Sequence, residues 1–430
     1  MEDAHPKAIR PLRLALYGAI HATSGSSATS FFALAREWLR QGHMLDLYSP
    51  GHYLEPADLT EWPNFRFISI HLATWKQATR LVPANAPTIL RASVGGVLAE
   101  AQRKVHEAEV ASAILERHAR EPYDALVVLN MLSRFTLPDG VIPVVSFPQG
   151  PPNGESEFIR RRGDIVRAEC GRSGWVILRA GYKARDPAVI RSLKRSTFIV
   201  ASSEWSASFF EREGWPRSRM ATLCPPIDLN RFVLTARPAS VSRFTFLWLG
   251  RIVPRKRFAL ALDAFAKLRA RRPSVRLVVI GSAGYAGMVK MHLPDLARFE
   301  GVERGRPVPN DRVPELMAGT DAILQPSENE NFGLTAAEAA ACGVPTVLGP
   351  TNGTAESLED AAFRFDRYEP DDVAAAMERV MDAVLADPVG IAHRARAIAE
   401  RNLSLTSSAQ RGAEILRQVA DDWHADHSTR

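Results

Sequence analysis

The sequence predicts an α/β protein of two doubly wound parallel sheets facing each other across a cleft, and three observations predict it. Apolar, β-branched runs alternate with amphipathic stretches along the whole chain; this pattern restarts near residue 243; and an aperiodic stretch rich in Pro and Ser separates the two runs. At 430 residues the chain is also too long for one ordinary core.

The first half opens with the strand "LRLALYG", a small-residue turn "HATSGSSATS", the amphipathic helix "FFALAREWLRQG" and a second strand "MLDLYSP". Strand, tight turn, helix and strand in that order build a parallel sheet. Further strands are expected at "FRFISI", "ALVVLN", "IPVVSF" and "TFIVASS", with long helical stretches between them, above all at 88–120. Such continuous apolar runs suit strands covered on both faces. The linker falls in "CPPIDLNRFVLTARPASVSR". After it come the strand "FTFLWLG", the helix "FALALDAFAKLRARRP" and the strands "VRLVVIG", "DAILQPS" and "PTVLG". The expected division is 1–225 for an N-terminal domain, 226–242 for the linker and 243–405 for a C-terminal domain. A last helix at 406–425, set apart by "RNLSLT", is free to pack on the first domain.

With 46% hydrophobic and 24% charged residues the chain reads as an ordinary soluble protein. No apolar run reaches the length of a membrane span, and the start "MEDAHPKAIRPLRLALYGAI" lacks a signal-like core, so a cytoplasmic location is expected. Three widely spaced cysteines, Cys170, Cys224 and Cys342, indicate neither a disulfide framework nor a zinc site and are read as small buried apolar residues. The net charge of +6 is local: residues 151–200 carry 11 basic and 5 acidic side chains, and the remainder of the chain is balanced. That segment suits an anionic substrate or an anionic membrane surface, and equally a merely solvated helix face in an Arg-rich chain. Nucleic acid is not expected as a partner, because no basic stripe is interleaved with aromatics. "SGSSATS" lacks the G-x-G-x-x-G spacing of a dinucleotide fold.

The chemistry is concentrated in the second half. "GRIVPRK" sets Gly250, Arg251 and Lys256 just beyond the carboxyl end of a strand, where two cations suit a diphosphate. Downstream, "PSENENFGLTAAEAAACGVP" leads into a helix whose free N–H groups and positive dipole end attract an anion. Phe332 and Gly333 precede that helix and permit close backbone approach. Glu330 lies in the loop before it, placed for sugar hydroxyls. Glu338 has two readings, a ribose acceptor or the far end of a "TAAE" capping box with Thr335, and on residues alone the capping box is the simpler.

Taken together, "GRIVPRK", "PSENENFGLTAAEAAACGVP" and "TNGTAE" resemble the signature of retaining family 4 glycosyltransferases, which have the GT-B fold of two Rossmann-like domains. The resemblance extends to "ASSEWSASFFEREGWPRSRMATLCPPIDLNRF" and more weakly to "SGSSATSFFALAREWLRQGH". It implies a retaining, metal-independent transferase moving a sugar from a nucleotide-diphosphate donor, UDP- or GDP-linked, to an acceptor hydroxyl in polysaccharide, glycolipid or small-molecule glycoside biosynthesis. The same resemblance implies roles. Arg251 and Lys256 bind the donor diphosphate, Glu330 holds the sugar, the backbone of Asn331, Phe332, Gly333 and Leu334 contacts sugar and phosphate, and Glu338 holds the ribose. No cofactor is implied beyond the nucleotide sugar itself. The acceptor side is expected at Gly25, Ser26, Gln149, Arg160, Arg161 and Arg162, with an acceptor that is anionic or membrane-borne and peripheral attachment at the inner membrane surface.

This chain departs from the family in three places. The residues after "IPVVSF" are Pro148, Gln149 and Gly150 where many relatives carry a His; a glycine pair becomes Gly25 and Ser26; and Pro225 and Pro226 replace Asn-Gly before Asp228. Competing readings are a GT-B epimerase or phosphorylase, and a nucleotide-sugar-binding scaffold without turnover.

Overall fold

The computed structural model describes residues 10–427 apart from 19, 21–25, 51–55, 71–104, 130–136, 149, 151–153, 236–242 and 286–292. Two parallel sheets form. The first contains β1 (Arg13–Tyr17), β2 (Met44–Pro50), β3 (Phe65–Ile70), β4 (Ala125–Val128), β5 (Val144–Ser146), β6 (Phe198–Ala201) and β7 (Met220–Thr222), in the order β3-β2-β1-β4-β5-β6-β7. The second contains β8 (Phe244–Leu249), β9 (Val275–Ile280), β10 (Val302–Arg304), β11 (Ala322–Gln325), β12 (Thr346–Leu348) and β13 (Ala362–Arg364), in the order β10-β9-β8-β11-β12-β13. Every named pairing is parallel, as the continuous apolar runs require.

Each sheet reverses its winding once, between β1 and β4 and between β8 and β11. Loops leaving the carboxyl ends of strands on either side of such a reversal diverge and leave a crevice. The turns after β8 and β11 therefore carry "GRIVPRK" and "ENFGL" to one place, although the two motifs lie far apart in the chain. The short strands β7, β10 and β13 lack a hydrophobic run of their own and are absent from the sequence-based reading.

Domain packing crosses the boundary near residue 225. The helix Gly154–Arg161 and the first part of the helix Gly163–Leu193 place Phe158, Ile159, Val166, Cys170 and Leu178 in the second domain's core, beside Phe244, Trp248, Phe258 and Phe265. Farther along, Val189 and Leu193 pack with Ile199, Ala201 and Phe210 of the first domain. Gly171, at φ 72, breaks the helix within the first of these attachments, between Cys170 and Leu178; a positive φ is open to Gly at little steric penalty. In the opposite direction, the last helix, Leu405–His427, leaves the second domain and buries Ala409, Ala413 and Leu416 against the first, where Trp38 Nε1 donates to Ala409 O at 2.8 Å. Cys170 and Cys342 are buried, whereas Cys224 is half-buried and lines the interdomain cleft, which corrects its reading as a core residue.

Candidate functional site

The cleft between the sheets has a volume of about 620 Å³. Ser30, Phe31, Phe147 and Pro148 line it from the first domain; Gly250, Arg251, Arg255, Lys256 and the run from Asn329 to Thr335 line it from the second.

After β8 the chain passes Gly250 and the exposed Arg251 and enters a 3₁₀ turn, Pro254–Lys256, in which Pro254 pre-sets the backbone at the first position. Arg257 follows at φ 52 and is the N-cap of the helix Phe258–Arg271. A non-glycine residue in the left-handed region stores strain and persists where its surroundings hold it. Arg257 is held by Glu328 at 2.8 Å and by the Tyr368 ring at 5.5 Å. Asn329 and Tyr285 also have positive φ, 56° and 54°, so such residues occur in the segments that follow β8, β9 and β11.

Glu330 is fixed by its backbone. Its N–H donates to Thr351 O at 2.9 Å and its carbonyl accepts from Gly353 N–H at 2.9 Å, which ties "PSENENFGL" to "TNGTAE". A Cβ on Gly353 would lie 2.1 Å from Asn331 O and 2.2 Å from Ser203 Oγ, so only glycine permits that approach. The first domain also closes on these loops. Ser203 Oγ donates to Asn331 O at 3.0 Å, and the Glu356 carboxylate accepts from the backbone N–H groups of Glu204 and Trp205 at 3.0 and 2.9 Å, capping the helix Glu204–Arg212 across the interface.

Side chains then form a charged network on the cleft wall. Lys256 Nζ bonds the Glu330 carboxylate, and Arg255 reaches the same carboxylate at 3.1 Å. Through its Nε, Arg255 also pairs with Glu155 at 2.9 Å, and Glu155 accepts from the Tyr285 hydroxyl. Burial alone would raise the Glu330 pKa, but Arg255 and Lys256 hold it down at about 2. Burial lowers the Lys256 pKa, with Glu330 opposing. The pair is therefore a pre-formed cluster of charge that an anion entering the cleft would reorganise.

The helix Leu334–Ala341 begins beside this cluster. Gly333 is its N-cap and provides no side-chain bond, while Gly333 N–H donates to Thr354 Oγ1. Thr335 is thus the second helical residue, not the cap, and the capping box with Glu338 does not form. Among the described residues no hydrogen bond is made by the Glu338 side chain, and burial pushes its pKa up to about 7, with Arg231 opposing. Nearby, Gln325 Oε1 and Asn331 Oδ1 are buried without a partner, although both residues line the cleft. Such atoms ordinarily find a partner in a ligand or water.

Of the residues singled out from sequence, Gly250, Arg251, Lys256, Glu330, Asn331, Phe332, Gly333 and Leu334 converge on the cleft. Glu338 lies one helical turn behind it. Gly25 and Gln149 lie outside the described residues, and Ser26 starts the helix Ser26–Arg40. Arg160, Arg161 and Arg162 are not among the cleft-lining residues. Arg161 lies 3.6 Å from Glu157, its neighbour one turn back, and Arg162 turns toward Glu328 at 3.7 Å, because their helix packs its apolar face on the second domain. Arg255, Glu155, Tyr285 and Glu356 were not distinguished by the sequence. Arg255 stands next to Lys256 in "PRK", but nothing local shows that its partner is Glu155.

Residues 236–397 match the family model described as Glycosyl transferases group 1. The D-inositol 3-phosphate glycosyltransferase 2 of Catenulispora acidiphila is 31% identical over 204 residues, 43% of this chain and 48% of that protein. A GDP-mannose-dependent alpha-(1-6)-phosphatidylinositol monomannoside mannosyltransferase of Mycolicibacterium smegmatis is 29% identical over 179 residues, 38% of this chain and 46% of its own length. The chain thus spans about half the length of the curated relatives it matches. Among solved structures, Anabaena Alr3699/HepE in complex with UDP and glucose aligns over 94% of this chain and 99% of its own with a TM-score of 0.62 at 16% identity. Sucrose-phosphate synthase from Thermosynechococcus elongatus aligns over 95% of this chain and 99% of its own with a TM-score of 0.66 at 15% identity. The α/β, two-domain GT-B fold is common to these structures and to this chain.

Proposed function

We propose, on the premise that the C-terminal domain of this chain belongs to the group 1 glycosyl transferases, that the protein moves a sugar from a nucleotide-diphosphate donor to an acceptor hydroxyl with retention of configuration and without a metal. One observation carries this reading: Lys256, Arg255 and Glu330 meet at the carboxyl ends of β8 and β11, beside a helix N-terminus with no side-chain cap. A donor diphosphate would take Lys256, Arg251 and the first turn of the helix Leu334–Ala341. Glu330, released from Lys256, would then accept hydrogen bonds from the sugar hydroxyls.

The step is leaving-group catalysis. The bond from the anomeric carbon to the β-phosphate oxygen breaks, with its electron pair going to that oxygen. The acceptor hydroxyl bonds to the same face of the carbon. Its proton passes to the departing phosphate oxygen, because the cleft carboxylates Glu155 and Glu330 are both engaged by Arg255. Fixed cations aimed at charge that grows in the transition state supply the acceleration. Support for a UDP- or GDP-linked donor comes from relatives whose names carry GDP-mannose and from neighbours bound to UDP. The acceptor would approach over Phe31, Phe147 and Pro148 on the first-domain wall.

Thermal denaturation with UDP, GDP, ADP and TDP sugars tests the donor site. The true donor at a hundredfold excess over its Kd adds about 2.7 kcal/mol of stability. No stabilisation by any member of the panel would refute the assignment. Nucleotide release from the bound donor then separates a transferase from a scaffold that only binds.

Glu338 supplies a pH test. Its folded pKa of about 7 lies above the usual carboxylate value of 4.5, so the native state binds the extra proton between those values and loses stability as pH rises through that window. Ionised Glu338 is the stronger acceptor for a ribose hydroxyl, so donor affinity is expected to rise across pH 7. Glu338→Gln should flatten both profiles, as read by thermal melts and donor titrations from pH 5 to pH 8. A variant retaining either slope would remove Glu338 from the donor site.

A further inference from the structure

We propose that the exposed face of the helix segment from Arg172 to the C-cap Lys194 docks this protein onto an anionic lipid bilayer. From Gly171 onward the helix buries one stripe, with Gly174, Leu178, Asp186, Val189 and Leu193, and exposes the opposite one. Arg172, Val176, Arg179, Lys183, Arg191 and Lys194 follow one another at three-, four- and eight-residue intervals and so lie along that exposed face. At 1.5 Å per residue the stripe is about 33 Å long.

Its charge is one-sided. Between Arg172 and Arg195 there are seven cations and a single acid, Asp186. That acid is buried and paired at 2.8 Å with Arg185, the cation of the seven that lines the cleft. The outward cations are therefore not neutralised by the helix itself. Of these, Arg195 pairs with the exposed Asp139 at 3.3 Å and Lys194 stacks on Trp215 at 5.6 Å. Arg172, Lys183 and Arg191 have no ion pair or ring partner among the described residues.

Two apolar side chains stand among the cations. Val176 is 52% exposed and Ile177 44% exposed, and the half-buried Trp175 beside them is covered by Arg167 and Arg179 at 4.9 and 5.3 Å. A polyanion in water would gain from the cations alone. A bilayer interface gains from both, since headgroups meet the cations while Val176 and Ile177 enter the acyl boundary. No helix among the described residues is long and apolar enough to cross a membrane, so attachment here is to the surface.

Placement gives the contact a use. Tyr182 and Arg185 line the cleft on the inner side of the helix that carries Lys183 outward, so a bilayer on the outer side lies beside the cleft mouth. An acceptor borne by that bilayer reaches the cleft without leaving the surface. Docking and donor binding are independent properties, because the stripe contains none of the donor-site residues.

Flotation with vesicles decides the matter. The full chain is expected to float with phosphatidylcholine vesicles containing phosphatidylglycerol, and not with phosphatidylcholine alone. The triple variant Arg172→Glu, Arg179→Glu, Lys183→Glu should lose roughly tenfold or more in apparent vesicle affinity. Val176→Ser with Ile177→Ser should lose ~tenfold while keeping every cation. Both variants change exposed positions and should keep the thermal shift produced by nucleotide sugar. Failure of the unaltered protein to float with anionic vesicles would overturn the proposal. It would equally be overturned if the chain bound heparin or RNA as tightly as vesicles and the Val176, Ile177 variant bound like the parent, since the face would then be a polyanion surface.

Discussion

Lys256→Ala is expected to lower kcat by roughly 10²- to 10³-fold, the loss typical of removing one group aimed at charge that develops in a transition state. Lys256 is paired with Glu330 on the cleft wall, so its positive charge is already positioned for a diphosphate. The protein does not depend on Lys256 alone to hold Glu330, because Arg255 bonds the same carboxylate at 3.1 Å. The variant should therefore remain folded and still respond to donor, with the deficit appearing in turnover rather than in assembly. Steady-state transfer or donor hydrolysis, measured beside a thermal melt, reads the two effects separately. Wild-type turnover in a folded Lys256→Ala protein would discard leaving-group stabilisation by this residue.

Arg255→Ala should have the opposite balance, costing about 3–5 kcal/mol of stability, as breaking a buried charge network by removing one partner does. Arg255 stands between Glu155 and Glu330, and without it two largely buried carboxylates lose the cation they share, leaving Glu330 with Lys256 and Glu155 with the Tyr285 hydroxyl. Urea unfolding measures the loss. Adding Glu155→Gln to Arg255→Ala should recover part of it, and the difference from additivity isolates the coupling between them. The acid limb gives a second reading. Glu330 is depressed to about 2 from 4.5, so its contribution to stability is complete above pH 4.5 and is lost as pH falls toward 2. Without Arg255 the folded pKa rises toward the unfolded value, so the acid-side loss is smaller and is complete at a higher pH. An Arg255→Ala protein with the urea midpoint and acid profile of the parent would show that the network carries no stability.

Much of the proposed donor site was legible because the signals are local. A strand followed by "GRIVPRK" and a loop followed by a small-residue helix declare their conformations within a few residues, and the turns after β8 and β11 converge wherever a doubly wound sheet reverses. Glu338 was harder. "TAAE" satisfies the spacing of a capping box, and only the bond from Gly333 N–H to Thr354 Oγ1, 21 residues away, shows that the helix starts earlier and leaves Glu338 without that role. The basic segment was legible as charge but not as position. Apart from Arg185, its cations are not among the cleft-lining residues, because Phe158, Ile159, Val166 and Leu178 are drawn into the second domain's core.

By itself, then, the order of residues determined the alternation of strands and helices, the two-sheet plan, and the cluster of cations and acids in the second half, all of which follow from periodicity and turn chemistry within short windows. Tertiary structure alone decided which of those charges meet. Arg255 finds Glu155 and Glu330, Glu356 caps the helix Glu204–Arg212, and the last helix returns to Trp38, in each case across a domain or a long stretch of chain. Pairing at such separations depends on how two cores settle against each other, and no local pattern encodes that.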